Sequence, residues 1–163
     1  MGTIHLLFGT ESGNAELVAD DVAAELERRG YVAKVHSMDE VDVSWLADAG
    51  GAIIITSTYG DGELPMTAVA LHRALLRDRP DLSGLQFAAF GLGDSTYDTY
   101  NNGIEQLTEV LAQLGATPVG EIGRHDAASI DDHCDLGVAW VRELDGQGLV
   151  TRLAGDVDFA INA

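Results

Sequence analysis

Three short segments concentrate the residues that could hold a ligand. Gly9-Thr10-Glu11-Ser12-Gly13-Asn14 brings two hydroxyls, two glycines and an Asn at a helix-start position, without Lys or Arg. Small residues let a backbone approach a ligand closely, and free amides at a helix start attract an anion through partial charges. A phosphate held only by amides and hydroxyls suits a resident cofactor better than a phosphate meant to react. Thr56-Ser57-Thr58-Tyr59-Gly60-Asp61-Gly62-Glu63-Leu64-Pro65 and Gly91-Leu92-Gly93-Asp94-Ser95-Thr96-Tyr97-Asp98-Thr99-Tyr100-Asn101 are the other two. Both are Gly-rich turns that carry tyrosines. Tyrosines on neighbouring loops could close on a flat ring, while backbone groups read its polar edge. Any one segment could be ordinary turn chemistry; three together argue for a site.

Competing chemistries are excluded by inspection. The first loop lacks Gly-x-x-x-x-Gly-Lys-Ser/Thr and also the dinucleotide fingerprint G-x-G-x-x-G. No pairing of residues suggests a general acid and base or an activated nucleophile. His5, His36, His72, His125 and His133 are scattered at no metal-ligand spacing, so packing explains them and no metal is expected.

The elements that must position these loops follow from periodicity. Strand-like runs at residues 3–8, 31–36, 51–57, 85–90 and 117–122 alternate with helical patterns at 14–29, 66–77, 102–114 and 130–144. On the first helix Leu17, Val18, Val22 and Leu26 are expected inside. On the third, Ile104, Leu107, Leu111 and Leu114 form the inner stripe. Trp140 is expected in the core, and Trp45 either in the core or at the edge of the ligand. Residues 37–49 read as acidic and irregular, with one helical turn around Trp45. The alternation predicts an α/β fold: a five-stranded parallel sheet with helices on both faces and strand order 2-1-3-4-5. Such sheets bind ligands beyond the carboxyl ends of the strands, where the order reverses, so the loops after strands 1, 3 and 4 are the place to look. Residues 1–144 are expected to form one domain and 145–163 a loosely attached tail.

Composition narrows the class. With 27 acidic against 9 basic residues the net charge is −18, which argues against nucleic acid and anionic membranes and favours basic partners. No apolar run reaches the ~20 residues needed to span a bilayer. The N-terminus lacks a basic region and cleavage-like site, so no signal peptide is read there. The single cysteine, Cys134, fits a reducing, cytoplasmic environment.

Four runs carry a specific resemblance: Phe8-Gly-Thr-Glu-Ser-Gly-Asn14, Thr56-Ser-Thr-Tyr-Gly-Asp-Gly62, Ala68-Val-Ala-Leu-His72 and Gly91-Leu-Gly-Asp-Ser-Thr-Tyr97. Their order and spacing over residues 3–144 resemble a flavodoxin. The likeness is greatest to the FMN domain of diflavin reductases, such as the sulfite reductase flavoprotein, and to its small stand-alone relatives. The resemblance implies FMN as cofactor. Thr10, Glu11, Ser12, Gly13, Asn14 and Ala15 would hold its phosphate. Ser57, Thr58, Tyr59, Gly60 and Gly62 would border the isoalloxazine. Leu92, Gly93, Asp94, Tyr97, Tyr100 and Asn101 would complete the site, with Tyr97 stacked on one ring face and Tyr59 on the other. Many flavodoxins have Thr where this chain has Ala15; sulfite-reductase-like domains share the small residue.

The implied function is an FMN-dependent electron shuttle between a flavin- or NADPH-dependent reductase and an acceptor protein, both basic-surfaced, acting as a monomer. Gly60 lacks a Cβ and could turn its carbonyl toward the flavin N5. A small FMN-dependent quinone or NAD(P)H oxidoreductase is the alternative, although no nicotinamide-binding segment is evident. A receiver domain shares the strand order but would need an acidic pair, an Asp and a Lys where this chain has Glu11, Ser57 and Arg124.

Overall fold

The structure is a computed structural model that describes residues 2–59, 62–96 and 101–155. A parallel sheet forms from β1 (Thr3–Gly9), β2 (Val32–Ser37), β3 (Gly51–Ser57), β4 (Gln86–Gly93) and β5 (Thr117–Pro118), in the order β2-β1-β3-β4-β5. The expected fold is the observed one. Continuous apolar runs make the central strands, because parallel strands covered on both faces bury every side chain. Ile53, Ile54 and Ile55 are at most 1% exposed, and alternate between the two cores.

The cores are set by the helices. On one face α1 (Asn14–Arg28) and α5 (His133–Gly146) cover Ile4, Leu6, Ile53, Ile55 and Phe90. On the other α2 (Val43–Asp48), α3 (Met66–Asp78) and α4 (Asn102–Gln113) cover Leu7, Ile54, Phe87 and Ala89. Ile104, Leu107 and Leu111 of α4 are buried as their spacing requires. Leu17 is not: it is 53% exposed, because the inward stripe of α1 runs through Ala15, Val18, Ala19, Val22 and Leu26. Among the described residues no helix is long and apolar enough to cross a membrane.

The acidic stretch after β2 contains a 3-10 turn at Met38–Glu40 and then α2, whose start is capped by Asp42. α2 places Trp45 in the core, 4% exposed and edge-on to His5 at 5.0 Å.

Two further expectations are corrected. Strand five is split: Thr117–Pro118 and β6 (Gly123–Asp126) both pair with β4, and the ladder lapses over residues 119–122 after the Val119 amide donates to the Phe87 carbonyl at 2.7 Å. The last helix starts at His133, not at residue 130. Asp132 caps it by accepting the Asp135 amide at 3.0 Å, and Ile130 is fully exposed. The segment after α5 is packed as far as it is described. Val150 and Leu153 lie in a 3-10 turn (Val150–Leu153) with both side chains buried, and β7 (Ala154–Gly155) pairs antiparallel with Thr3 and Ile4. Residues 156–163 of the expected tail lie outside the described residues.

Candidate functional site

The three ligand-type segments leave the carboxyl ends of β1, β3 and β4, beside the reversal of strand order between β1 and β3. Each is braced by hydrogen bonds to its neighbours.

The first loop is shaped by Thr10. Its hydroxyl oxygen accepts the Gly13 amide at 2.8 Å, leaving its own proton free to donate. Its backbone amide donates to the Thr67 hydroxyl at 2.8 Å, and that hydroxyl donates to the Thr10 carbonyl at 3.2 Å. Gly13 has φ 98°, with open space where a Cβ would stand. The amides of Asn14, Ala15 and Glu16 open α1, and the first amide bonded back is that of Leu17, to the Gly13 carbonyl at 3.1 Å. The result is a turn of unfilled donors at a positive helix end. Ala15 itself is fully buried, so it offers this turn its amide. Glu11 turns away: its carboxylate accepts the Met66 amide at 2.7 Å at the start of α3. That placement moves the loop's one charge off the anion position and onto another helix dipole.

The second loop folds back on itself. Tyr59 and Glu63 exchange backbone hydrogen bonds of 2.7 and 2.8 Å. The Gly62 carbonyl, at φ 102°, accepts Asn102 Nδ2 at 2.6 Å and Gln106 Nε2 at 2.8 Å. Thr58 donates its amide to the Leu92 carbonyl at 2.9 Å, and its hydroxyl accepts the Gly103 amide at 2.8 Å. Gly103 must be bare, since a Cβ there would stand 2.5 Å from the Ser57 carbonyl oxygen. On this braced tip Tyr59 remains 48% exposed.

The third loop starts from Leu92 and Gly93. Asp94 Oδ1 accepts the Thr96 amide at 2.9 Å and its hydroxyl at 2.7 Å. Asp126, at the end of β6, accepts the amides of Ser95 and Ala128, each at 2.9 Å. These bonds, Ser95 first, hold the Asp126 carboxyl below the usual carboxylate range. Asn101 is fully buried in the left-handed region (φ 56°), against Gly91 and Gly93. Among the described residues neither its amide nitrogen nor its carbonyl oxygen has a hydrogen-bond partner. Gly60, Tyr97 and Tyr100 of the expected site lie outside the described residues.

Sequence reasoning did not single out Thr67, Asn102, Gly103 or Gln106. All four brace a loop from a neighbouring element. Asp126, after the fifth strand, lies near the site end of the sheet as its position in the sequence suggests, and braces the third loop through Ser95.

Amide donors at one corner and an exposed aromatic on a braced loop at the next define the class. This is a doubly wound protein built to hold a phosphate-bearing, flat-ring cofactor at its switch point. The chain belongs to the flavodoxin family, whose description matches residues 6–137. It is 38% identical over 115 residues to the sulfite reductase [NADPH] flavoprotein alpha-component of Thiocapsa roseopersicina, covering 69% of this chain and 22% of that protein. It is 35% identical over 122 residues to protein MioC of Escherichia coli K12, covering 74% and 81%. A cysteine-to-serine mutant of flavodoxin from Pseudomonas aeruginosa superposes with a TM-score of 0.79 at 29% identity, over 93% of this chain and 98% of that one. Against larger relatives the chain spans only 7–25% of the whole protein.

The family's cofactor is FMN, as the motifs implied. The residues present fit it. The Thr10–Glu16 turn offers amides and a hydroxyl proton, with no carboxylate turned in, to a phosphate monoester. The buried Asn101 amide has donors and an acceptor unpartnered among the described residues, at the foot of the third loop.

Proposed function

We propose that this chain carries electrons on FMN between a separate reductase and an acceptor protein. The observation that carries this reading is the convergence of three braced loops at the switch point, one of them an anion site without a cation. FMN, when bound, supplies one- and two-electron redox chemistry. The chain's own residues bind and orient it. Thr10, Ser12 and the amides of Gly13 to Glu16 take the phosphate. Thr58 and Tyr59 border one side of the ring, Leu92 to Asp94 the other, and Asp126 fixes the third loop through Ser95. Glu11 and Asn102 act one step removed, by pinning the first loop to α3 and the second to α4.

The charge supports a docking role for the same end. Glu11, Glu16, Glu63, Asp94, Asp126, Asp131 and Asp132 lie on or beside the loops at the carboxyl ends of the strands. Among the described residues Arg124 is the one Lys or Arg there, and it is paired with Glu105. A basic-surfaced partner fits such an end.

A visible spectrum of the purified protein, followed by stepwise reduction, tests the reading. Flavin bands that bleach reversibly, without rapid turnover of NAD(P)H by the protein alone, are expected. A colourless protein that ignores added FMN would overturn it. Rapid oxidation of NAD(P)H by the isolated protein would instead make it a self-sufficient oxidoreductase.

A further inference from the structure

The split in strand five opens a second feature, away from the cofactor loops. Phe87 pairs with Pro118 and Phe90 with Gly123, so residues 119–122, four in number, stand opposite Ala88 and Ala89, only two. The two extra residues form a bulge, and the backbone is adapted to it. Gly120 takes φ 72°, and a Cβ on it would stand 2.5 Å from Leu144 Cδ2. A Cβ on Gly123 would stand 2.6 Å from Trp140 Cδ1 and 2.5 Å from a Phe90 ring carbon. Two bare positions are therefore needed to seat the bulge against α5. Bulges re-aim side chains at sheet edges and binding sites.

Between bulge and helix lies a cleft of about 550 Å³, lined by Gly120, Glu121, Ile122, Trp140, Glu143 and Leu144. Trp140 is only partly buried. Its ring packs on Phe90 at a centroid distance of 5.5 Å, and its Nε1 donates to the Glu121 carbonyl at 3.3 Å, so the indole is held in one orientation. Glu121 and Glu143 are both exposed, and neither makes an ion pair among the described residues. The arginines nearest to them in sequence are committed elsewhere. Arg124 pairs with Glu105, and Arg142 reaches Glu25 with Nε 2.9 Å from its carboxylate.

We infer that this cleft is a docking pocket for an arginine side chain of a partner protein. A fixed indole attracts a planar guanidinium through its π face, and two uncompensated carboxylates complement its charge and its forked donors. Lysine would gain the charge but not the stacking. A metal ion is a poorer occupant, because no group of three metal-ligating side chains forms among the described residues. The pocket gives a partner a second point of attachment, which would fix its rotation about the cofactor end. This inference does not depend on FMN being the ligand of the three loops.

The test is a two-dimensional NMR titration of the purified protein, as isolated, with a short acetylated, amidated peptide containing two arginines. A matched lysine peptide and spermidine are run in parallel. The chain has two tryptophans, so Trp45→Phe assigns the Trp140 indole signal. Saturable shifts of the Trp140 indole and of the Gly120 and Gly123 amides are expected, tightest for the arginine peptide. Glu121→Gln with Glu143→Gln should weaken them at least fivefold, and these exposed changes leave the fold intact. Shifts confined to the cofactor loops would overturn the inference, as would equal binding by the double variant or by spermidine.

Discussion

Thr10 and Glu11 are neighbours with opposite assignments, and the distinction can be measured. The Thr10 hydroxyl accepts from Gly13 and keeps a proton for the ligand, whereas the Glu11 carboxylate is turned onto α3. Thr10→Ala should weaken FMN binding by about tenfold, the effect of roughly 1.4 kcal/mol from a lost hydrogen bond to a charged group. Glu11→Gln should change it by no more than about twofold; flavin fluorescence quenching reads both. Asp126 makes a pH-dependent case. Its carboxyl is held below the usual range by bonds from Ser95 and Ala128. The folded loop therefore favours the ionised form, so the tie is complete at neutral pH and is lost as pH falls through that lowered value. Hydrogen-exchange protection of the Ser95 amide should therefore hold from pH 7 down through the ordinary carboxylate range and be lost only below it. Asp126→Asn should reduce it about tenfold already at pH 7.

At the scale of elements, the segment after α5 is a structural closure. Leu153 is fully buried, its carbonyl lies where a Cβ on Gly51 would have to stand, and β7 occupies the edge of β1 below β3. Leu153→Ala should cost about 2–5 kcal/mol in urea unfolding, as for other buried leucines. Unchanged stability would mean that this segment contributes nothing to the core. The strands and their order were legible because parallel, doubly covered strands write themselves as apolar runs, Ile53-Ile54-Ile55 above all. Helix stripes were legible where period and burial agree, as on α4. Leu17 misled because α1 buries small alanines beside its valines, and a large apolar residue one step off the stripe looks equally inward. The break in strand five and the start of α5 were missed, because a bulge depends on register with β4 and Ile130 imitates a helical beginning. In the site, the loop sequences marked the three segments that gather at the carboxyl ends of β1, β3 and β4. The braces from Thr67, Asn102 and Gln106 come from distant elements and leave no local pattern.

At the scale of the whole molecule the charges are sorted. Of the nine basic residues, Arg28, Arg29, Arg73, Arg77, Arg79 and Arg142 lie in or just past the second half of a helix. Lys34 is in the first half of β2, and Arg152 bonds Gln86 at the start of β4 at 2.8 Å. Helices of a doubly wound sheet run back against the strands, so these eight gather away from the cofactor loops and only Arg124 remains near them. Electron transfer to a basic partner should therefore slow with added salt, about tenfold or more between 10 mM and 0.5 M. Stopped-flow rates that stay flat across that range would disprove the sorting as a docking device. The same separation makes the molecule an electric dipole with its redox group at the negative pole. On an electrode coated with an amine-terminated monolayer it should land flavin-side down and exchange electrons directly. On a carboxylate-terminated monolayer the flavin would face the solution, and the faradaic current should largely vanish.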